Sequence, residues 1–403
     1  MKKSLTKITA LLLSLILAVS LIGCNTPSGD EGQGVAEPKD YKYKNIIYII
    51  GDGMGDAHLD AGELVYEKEY TFRDSFKKVM VNTNSLDKKG NATEVTDSAA
   101  SATALATGVL TTNKYVGMDP AMQELKTVLD EASETGRSTG IVTTDYLCGA
   151  TPSGFSAHTN NRNLEHDIIR SQAKSGVDLL IGQYYDRYIE HEKDITPNYT
   201  FITEYSEEAI LSASGDTLCI APIESGEGTP TLAEVTELAI ERLSKDTDGF
   251  VLMIEQAHID KYSHDHNFEG TADKANSLND TVNAALAFAE GRDDTVIIVT
   301  ADHETCGLAV SSSPDEYTSK AKTVSGADIS YVYTDTYHTD TFVPFYLYGY
   351  DCDFSALETF SDGSVIKNIE IAKLVASLMG VNSFGDQSND WYDAIYKDKK
   401  NED

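Results

Sequence analysis

Along the chain, short apolar runs of five to seven residues alternate with longer stretches whose apolar positions recur at helical spacing. The runs over 45–50, 139–143, 177–181, 250–254, 295–300 and 342–348 read as strands, and those over 122–135, 232–244, 273–290 and 366–379 as helices. Strands separated by helices predict an α/β fold: a doubly wound, mostly parallel sheet with helices on both faces. Residues 306–337, rich in Ser, Asp, Tyr and Thr, break the alternation and are expected to form a small inserted subdomain. A further, alanine-rich helix should open at Asp97-Ser98 and close at Gly108. Ala and Leu propagate a helix cheaply, Asp or Ser starts one, and Gly ends it.

The pattern differs at the N-terminus. Met1-Lys2-Lys3 precedes an apolar run over 8–22, broken only by Thr9, Ser14 and Ser20 and followed by Gly23-Cys24. Residues 1–23 therefore read as a secretion signal, and the branched apolar pair and small residue before Cys24 resemble a bacterial lipoprotein signal, in which that cysteine is acylated. Residues 24–44 read as a flexible acidic linker, 45–390 as the one large folded domain and 391–403 as a charged tail. The expected location is extracytoplasmic, tethered to the membrane through lipid on Cys24.

Charge narrows the partners. With 32 Lys and Arg against 65 Asp and Glu, the formal net charge is −33. Nucleic acid is excluded as a partner, because phosphate backbones are bound through clustered Lys and Arg. An anionic substrate would need strong local positive charge, which metal ions supply. Apart from Cys24, Cys148, Cys219, Cys306 and Cys352 allow three disulfide pairings, among which the sequence does not choose.

In doubly wound sheets, sites gather beyond the carboxyl ends of the strands. There this chain carries Gly51-Asp52-Gly53-Met54-Gly55, then Glu255, then Asp302-His303-Glu304-Thr305, with His338 before the last strand. Asp260 and His264, four apart, project from one face of a helical turn, a spacing that suits a shared metal. Ser98 falls in a first helical turn, where free N–H groups and the dipole favour an anion. Taken singly, each is an ordinary cap, turn or solvated pair; together, three histidines, several acids and a serine suit two zinc ions and a magnesium ion.

These motifs, in this order, resemble the alkaline phosphatases, and the resemblance runs from residue 45 to about 348. It implies that Asp52 bridges the second zinc and the magnesium, and that Ser98 is the phosphorylated nucleophile and a metal ligand. Thr151, in Ala150-Thr151-Pro152, and Glu255 would complete the magnesium site. Asp260, His264 and His338 would hold the first zinc, and Asp302 and His303 the second. Arg162 would clamp the phosphate, with Asp97 and Lys261 beside the substrate. The activity implied is hydrolysis of small phosphate monoesters to alcohol and inorganic phosphate at alkaline pH, and the family is often homodimeric. A phosphodiesterase or phosphonate hydrolase on the same scaffold is the alternative; Ser98 with Arg162 favours the monoesterase. A phosphate-binding lipoprotein would need an anion pocket but no zinc. His258 and His266 lie beside the zinc motif without matching a ligand.

One position departs from the family. Two residues before the magnesium-binding hydroxyl, bacterial members often carry an aspartate that pairs with a lysine matching Lys261; this chain has Gly149. Losing such an outer partner typically weakens a metal site roughly 10- to 100-fold. The expectation is looser magnesium binding and an unpaired Lys261, freer to meet substrate phosphate.

Overall fold

The structure is a computed structural model and describes residues 42–313, 318–349, 365–385, 387–388, 391–392 and 395. The expected signal, Cys24, most of the linker, Cys352 and most of the tail lie outside these residues. Among the described residues no helix is long and apolar enough to cross a membrane, and Cys148, Cys219 and Cys306 are buried free thiols.

Ten strands form one sheet, in the spatial order Val365–Lys367, Lys77–Asn82, Val343–Gly349, Thr295–Thr300, Asn45–Gly51, Phe250–Gln256, Ser138–Thr143, Leu179–Gly182, Thr217–Ile220 and Thr200–Ile202. All neighbours run parallel except Val343–Gly349, which is antiparallel to both of its partners. The three central strands are buried at every position. This is why they read as continuous β-branched runs rather than alternating ones: helices cover both faces of a parallel sheet.

Register positions the chemistry. Ile50 lies opposite both Glu255 and Thr300, and Thr143 opposite Glu255. Four strands therefore end level, and the residues that follow them meet at one edge. Helices Ser98–Thr107 and Ala150–Gly154 pack closely, because a Cβ on Gly154 would fall 2.7 Å from that of Ala102.

Several boundaries differ from the sequence reading. The helix expected from 122 spans only Val128–Glu134. Asp119 collects the N–H groups of Ala121 and Gln123 into a turn, and a Thr127–Asp130 capping box starts the helix later. The helix expected from 273 begins at Phe268, capped by the Asn267 side chain. Residues 365–367 pair as an edge strand, so the last expected helix opens at Asn368. Strands Lys77–Asn82, Thr200–Ile202 and Thr217–Ile220 escaped the pattern, being short and near the margins of the sheet.

Within 306–337, strands Leu308–Ser311, Ser319–Lys322 and Asp328–Tyr333 form a separate antiparallel sheet with Asp328–Tyr333 in the middle. Leu308, Ala321 and Ile329 pack with Ala61 and Phe268 in a small apolar cluster of their own. Beside this sheet, Glu304–Thr305 pairs with His338–Thr339, setting Thr305 opposite His338.

Candidate active site

Ser98 is the first residue of its helix. The cap is not Ser98 but Asp97, whose Oδ1 accepts from Ala100 N at 3.0 Å. The Ser98 hydroxyl is therefore free of capping, and its Oγ lies 3.2 Å from His303 Nε2. Gly108 closes the helix at φ 70°, where glycine carries no steric penalty.

Two clusters of potential metal ligands meet here: Asp52, Asp302 and His303, all buried, and Asp260, His264 and His338. In the first, His303 Nε2 is 3.2 Å from Asp302 Oδ2 and 3.5 Å from Asp52 Oδ1. In the second, Asp260 Oδ1 is 3.3 Å from His264 Nε2 and 3.5 Å from His338 Nε2. The rings of His303 and His338 stack at 3.4 Å between centroids, so the clusters are adjacent.

Hydrogen bonding fixes which nitrogen each histidine presents. His338 Nδ1 donates to Thr96 O at 2.9 Å and His264 Nδ1 to Thr336 O at 3.1 Å, since a carbonyl only accepts. Thr305 Oγ1 spends its one hydrogen on Asp260 Oδ1 at 2.6 Å, so His303 Nδ1, 3.2 Å away, must donate to it. All three rings thus turn Nε2 toward the centre, the arrangement that orients imidazoles for a metal.

The electrostatics fit cations. Burial, then Asp302, Asp260 and Glu255, push Asp52 well above the usual carboxylate range. Burial and then Asp145 push Glu255 up to about 8. Burial also works against Asp260, yet hydrogen bonds from His264 and His338 hold it well below its ordinary value. His303 is raised: burial pulls it down, but Asp302 outweighs that. Added positive charge is thus favoured at Asp52, Glu255 and His303, while Asp260 and Asp302 are shifted the other way by the histidines beside them. Asp52 Oδ1 and Thr151 Oγ1 are buried without a hydrogen-bond partner, and Asp302 Oδ2 has only the contact with His303 Nε2, as expected of oxygens kept for a cation.

At the rim, Arg162 Nη1 lies 3.4 Å from Asp97 Oδ2, and that oxygen also accepts from Lys114 N at 3.0 Å. Asp97 therefore holds the arginine as well as capping the Ser98 helix. Beside Thr151, Glu255 is buried and accepts from Thr143 Oγ1. The expectation for Lys261 is overturned. It is not unpaired, because its Nζ lies 2.5 Å from Asp145 Oδ1. Sequence reasoning missed Asp145 and Thr305. Asp145 follows the strand Ser138–Thr143, so the strand-end rule applied to its neighbours would have found it.

The other histidines have structural partners. His258 Nδ1 bonds Thr144 Oγ1, and burial pulls its pKa down to about 4. His266 stacks on Tyr333 and bonds Asp335 O, while His158 bonds Gly117 O. His58 Nδ1 accepts from Gly55 N.

Residues 43–196 and 204–352 match the family model described as Alkaline phosphatase. The chain belongs to the alkaline phosphatase family. Alkaline phosphatase 4 of Bacillus subtilis (strain 168) is 29% identical over 330 residues, covering 75% of this chain and 71% of that protein. Alkaline phosphatase of Escherichia coli (strain K12) is 29% identical over 350 residues, covering 70% and 74%. The solved alkaline phosphatase from the Antarctic bacterium TAB5 superposes with a TM-score of 0.72 at 26% identity, over 85% of this chain and 99% of that one. The chain is accordingly a phosphoric monoester hydrolase. A variant of the TAB5 enzyme, TM-score 0.71 and 26% identical, was solved with Mg bound in its M3 site. With the two ligand clusters, that likeness points to divalent metal cofactors in this alkaline phosphatase as well.

Proposed function

We propose that this enzyme hydrolyses phosphate monoesters through a phosphoseryl intermediate on Ser98, with two zinc ions and one magnesium ion as cofactors. The observation that carries the reading is the Ser98 hydroxyl, uncapped at a helix N-terminus and 3.2 Å from a histidine of one ligand cluster. Asp260, His264 and His338 would hold the first zinc, and Asp52, Asp302 and His303 the second. Asp52, Thr151 and Glu255 would hold the magnesium. When bound, the cations supply the positive charge that favours a serine alkoxide and a departing alkoxide, against the acidity of the chain as a whole.

Ser98 Oγ, its proton lost to solvent, attacks phosphorus in line. The bond from phosphorus to the alcohol oxygen breaks, and the alcohol leaves after taking a proton from water. Water then attacks the phosphoserine and gives up a proton, the bond from Oγ to phosphorus breaks, Oγ takes up a proton from solvent, and inorganic phosphate departs. Arg162, steadied by Asp97, offers a planar fork to two phosphate oxygens, which Lys could not copy.

The test pairs metal analysis with hydrolysis of p-nitrophenyl phosphate by wild type and Ser98→Ala. Full activity in the alanine variant would sink the covalent route. Faster cleavage of bis(p-nitrophenyl) phosphate would favour the diesterase, and phosphate binding without zinc would favour a binding lipoprotein. The proposal also places the enzyme outside the cytoplasm on a Cys24-linked lipid, so Cys24→Ser should release it from the membrane fraction.

A further inference from the structure

Glu255 and Thr151 are both buried, and Lys261 is close enough to the acids around them to feel their charge. That lysine feels Asp145, Glu255 and Asp52, in that order of strength, and its direct contact is with Asp145. Asp145 is in turn the strongest charge acting on Glu255. Its backbone is tied down as well, since Asp145 N donates to Thr143 Oγ1 at 2.9 Å and the same hydroxyl bonds Glu255. Thr143 therefore joins the Asp145 backbone to the Glu255 carboxylate, and Lys261 holds the Asp145 side chain.

Gly149 completes the arrangement. Its φ of −58° is open to any residue, so what glycine supplies is room rather than conformational freedom. A Cβ at 149 would fall 2.8 Å from Asp145 Oδ2 and 2.9 Å from the Tyr146 carbonyl oxygen. The space that a side chain at 149 would take is filled by the Asp145 carboxylate.

We propose that Asp145, seated in the space left by Gly149 and locked by Lys261, is the positioning acid of the magnesium site. The inference rests on the cofactor reading above and reverses the expectation of a loose site. Magnesium gives up its waters reluctantly and keeps several of them when protein oxygens are few. Asp52, Thr151 and Glu255 offer few. A fixed carboxylate just outside that set accepts hydrogen bonds from the remaining waters, and outer partners of this kind carry roughly 10- to 100-fold in affinity. Lys261 is then committed to Asp145 rather than to substrate.

The experiment measures Mg2+ affinity by calorimetry on zinc-loaded protein, with zinc content and circular dichroism as controls. Asp145→Ala should weaken Mg2+ binding roughly 10- to 100-fold and leave zinc content unchanged. Asp145→Asn, which keeps the volume and one acceptor, should fall between Ala and wild type. Gly149→Ala, which removes no charged group, should weaken Mg2+ binding by displacing the Asp145 carboxylate. In the double variant it should add little to Asp145→Ala, because both act on one carboxylate. Unchanged Mg2+ affinity in Asp145→Ala overturns the proposal, as does loss of zinc in step with magnesium or full additivity in the double variant. Failure of the functional reading would show separately, as absent p-nitrophenyl phosphate hydrolysis by fully loaded wild type.

Discussion

Asp97 offers a sharp test because its two oxygens do different work. Oδ1 caps the Ser98 helix through Ala100 N, and Oδ2 holds Lys114 N and Arg162. Asp97→Ala removes both. Losing the cap costs about 1 kcal/mol, and losing a charge-assisted bond to Lys114 N costs about 1.5 kcal/mol, so the helix start should lose roughly 2.5 kcal/mol. Asp97→Asn keeps a cap as good as Asp but turns an amide toward the Lys114 N–H, so only the loss of about 1.5 kcal/mol remains. Urea unfolding at fixed zinc and magnesium concentrations reads the difference of about 1 kcal/mol as a shift in midpoint. Both variants also free Arg162. That pair is 3.4 Å apart and its arginine a third exposed, so it is worth at most about 1 kcal/mol, or about fivefold in kcat/KM. Equal destabilisation by Ala and Asn would refute the capping argument. A fall in kcat/KM beyond about a hundredfold in Asp97→Asn would place Asp97 in the chemistry itself rather than behind Arg162.

Thr305→Val keeps shape but removes the hydroxyl between Asp260 and His303, leaving His303 Nδ1 buried without an acceptor; stability should fall by about 1–3 kcal/mol, and zinc retention on dialysis should drop roughly 10- to 100-fold. Gly53→Ala combines a φ of 74° with a Cβ 2.5 Å from Thr305 Oγ1 and 2.9 Å from Asp260 Cα; it should cost about 2–4 kcal/mol and reduce zinc content at both clusters, and a variant with normal zinc content would show the turn to be slack. Removing metal should make stability fall as pH rises from about 5 to 8. Glu255, raised to about 8, and Asp52, His264 and His303, also raised, bind more protons folded than unfolded across this range, and they outnumber the lowered His58 and His258, which act in the opposite sense. Asp260 is depressed, so its contribution is complete above the unfolded carboxylate pKa and is lost only at lower pH. Thermal melts with and without chelator should therefore diverge with rising pH, and parallel curves would contradict the assigned shifts.

What could be read before the structure divides by range. Asp52, Glu255, Asp302 and His303 stand beside strong strand patterns, so the rule for strand ends found them without any knowledge of contacts. Asp260 and His264 were legible because helical spacing is local. His338 was different: it reaches its cluster because Thr305 pairs with it in a short hairpin across the inserted segment, and no periodicity encodes that pairing. The helix over 122–135 was misread because its apolar spacing was right while Asp119 turn chemistry held the first half.

The sequence alone determined the α/β alternation, the acidic balance, the serine at a helix start and most of the candidate ligand types, since each depends on residues within a turn or a strand of one another. Only the tertiary structure decided which of them meet. Register levels the strand ends, Thr305 joins the two clusters, and Lys261 finds Asp145 across 116 residues of chain. Such pairings depend on where the fold closes and on the room left by a glycine such as Gly149, and a carboxylate can fill that room from a position four residues away.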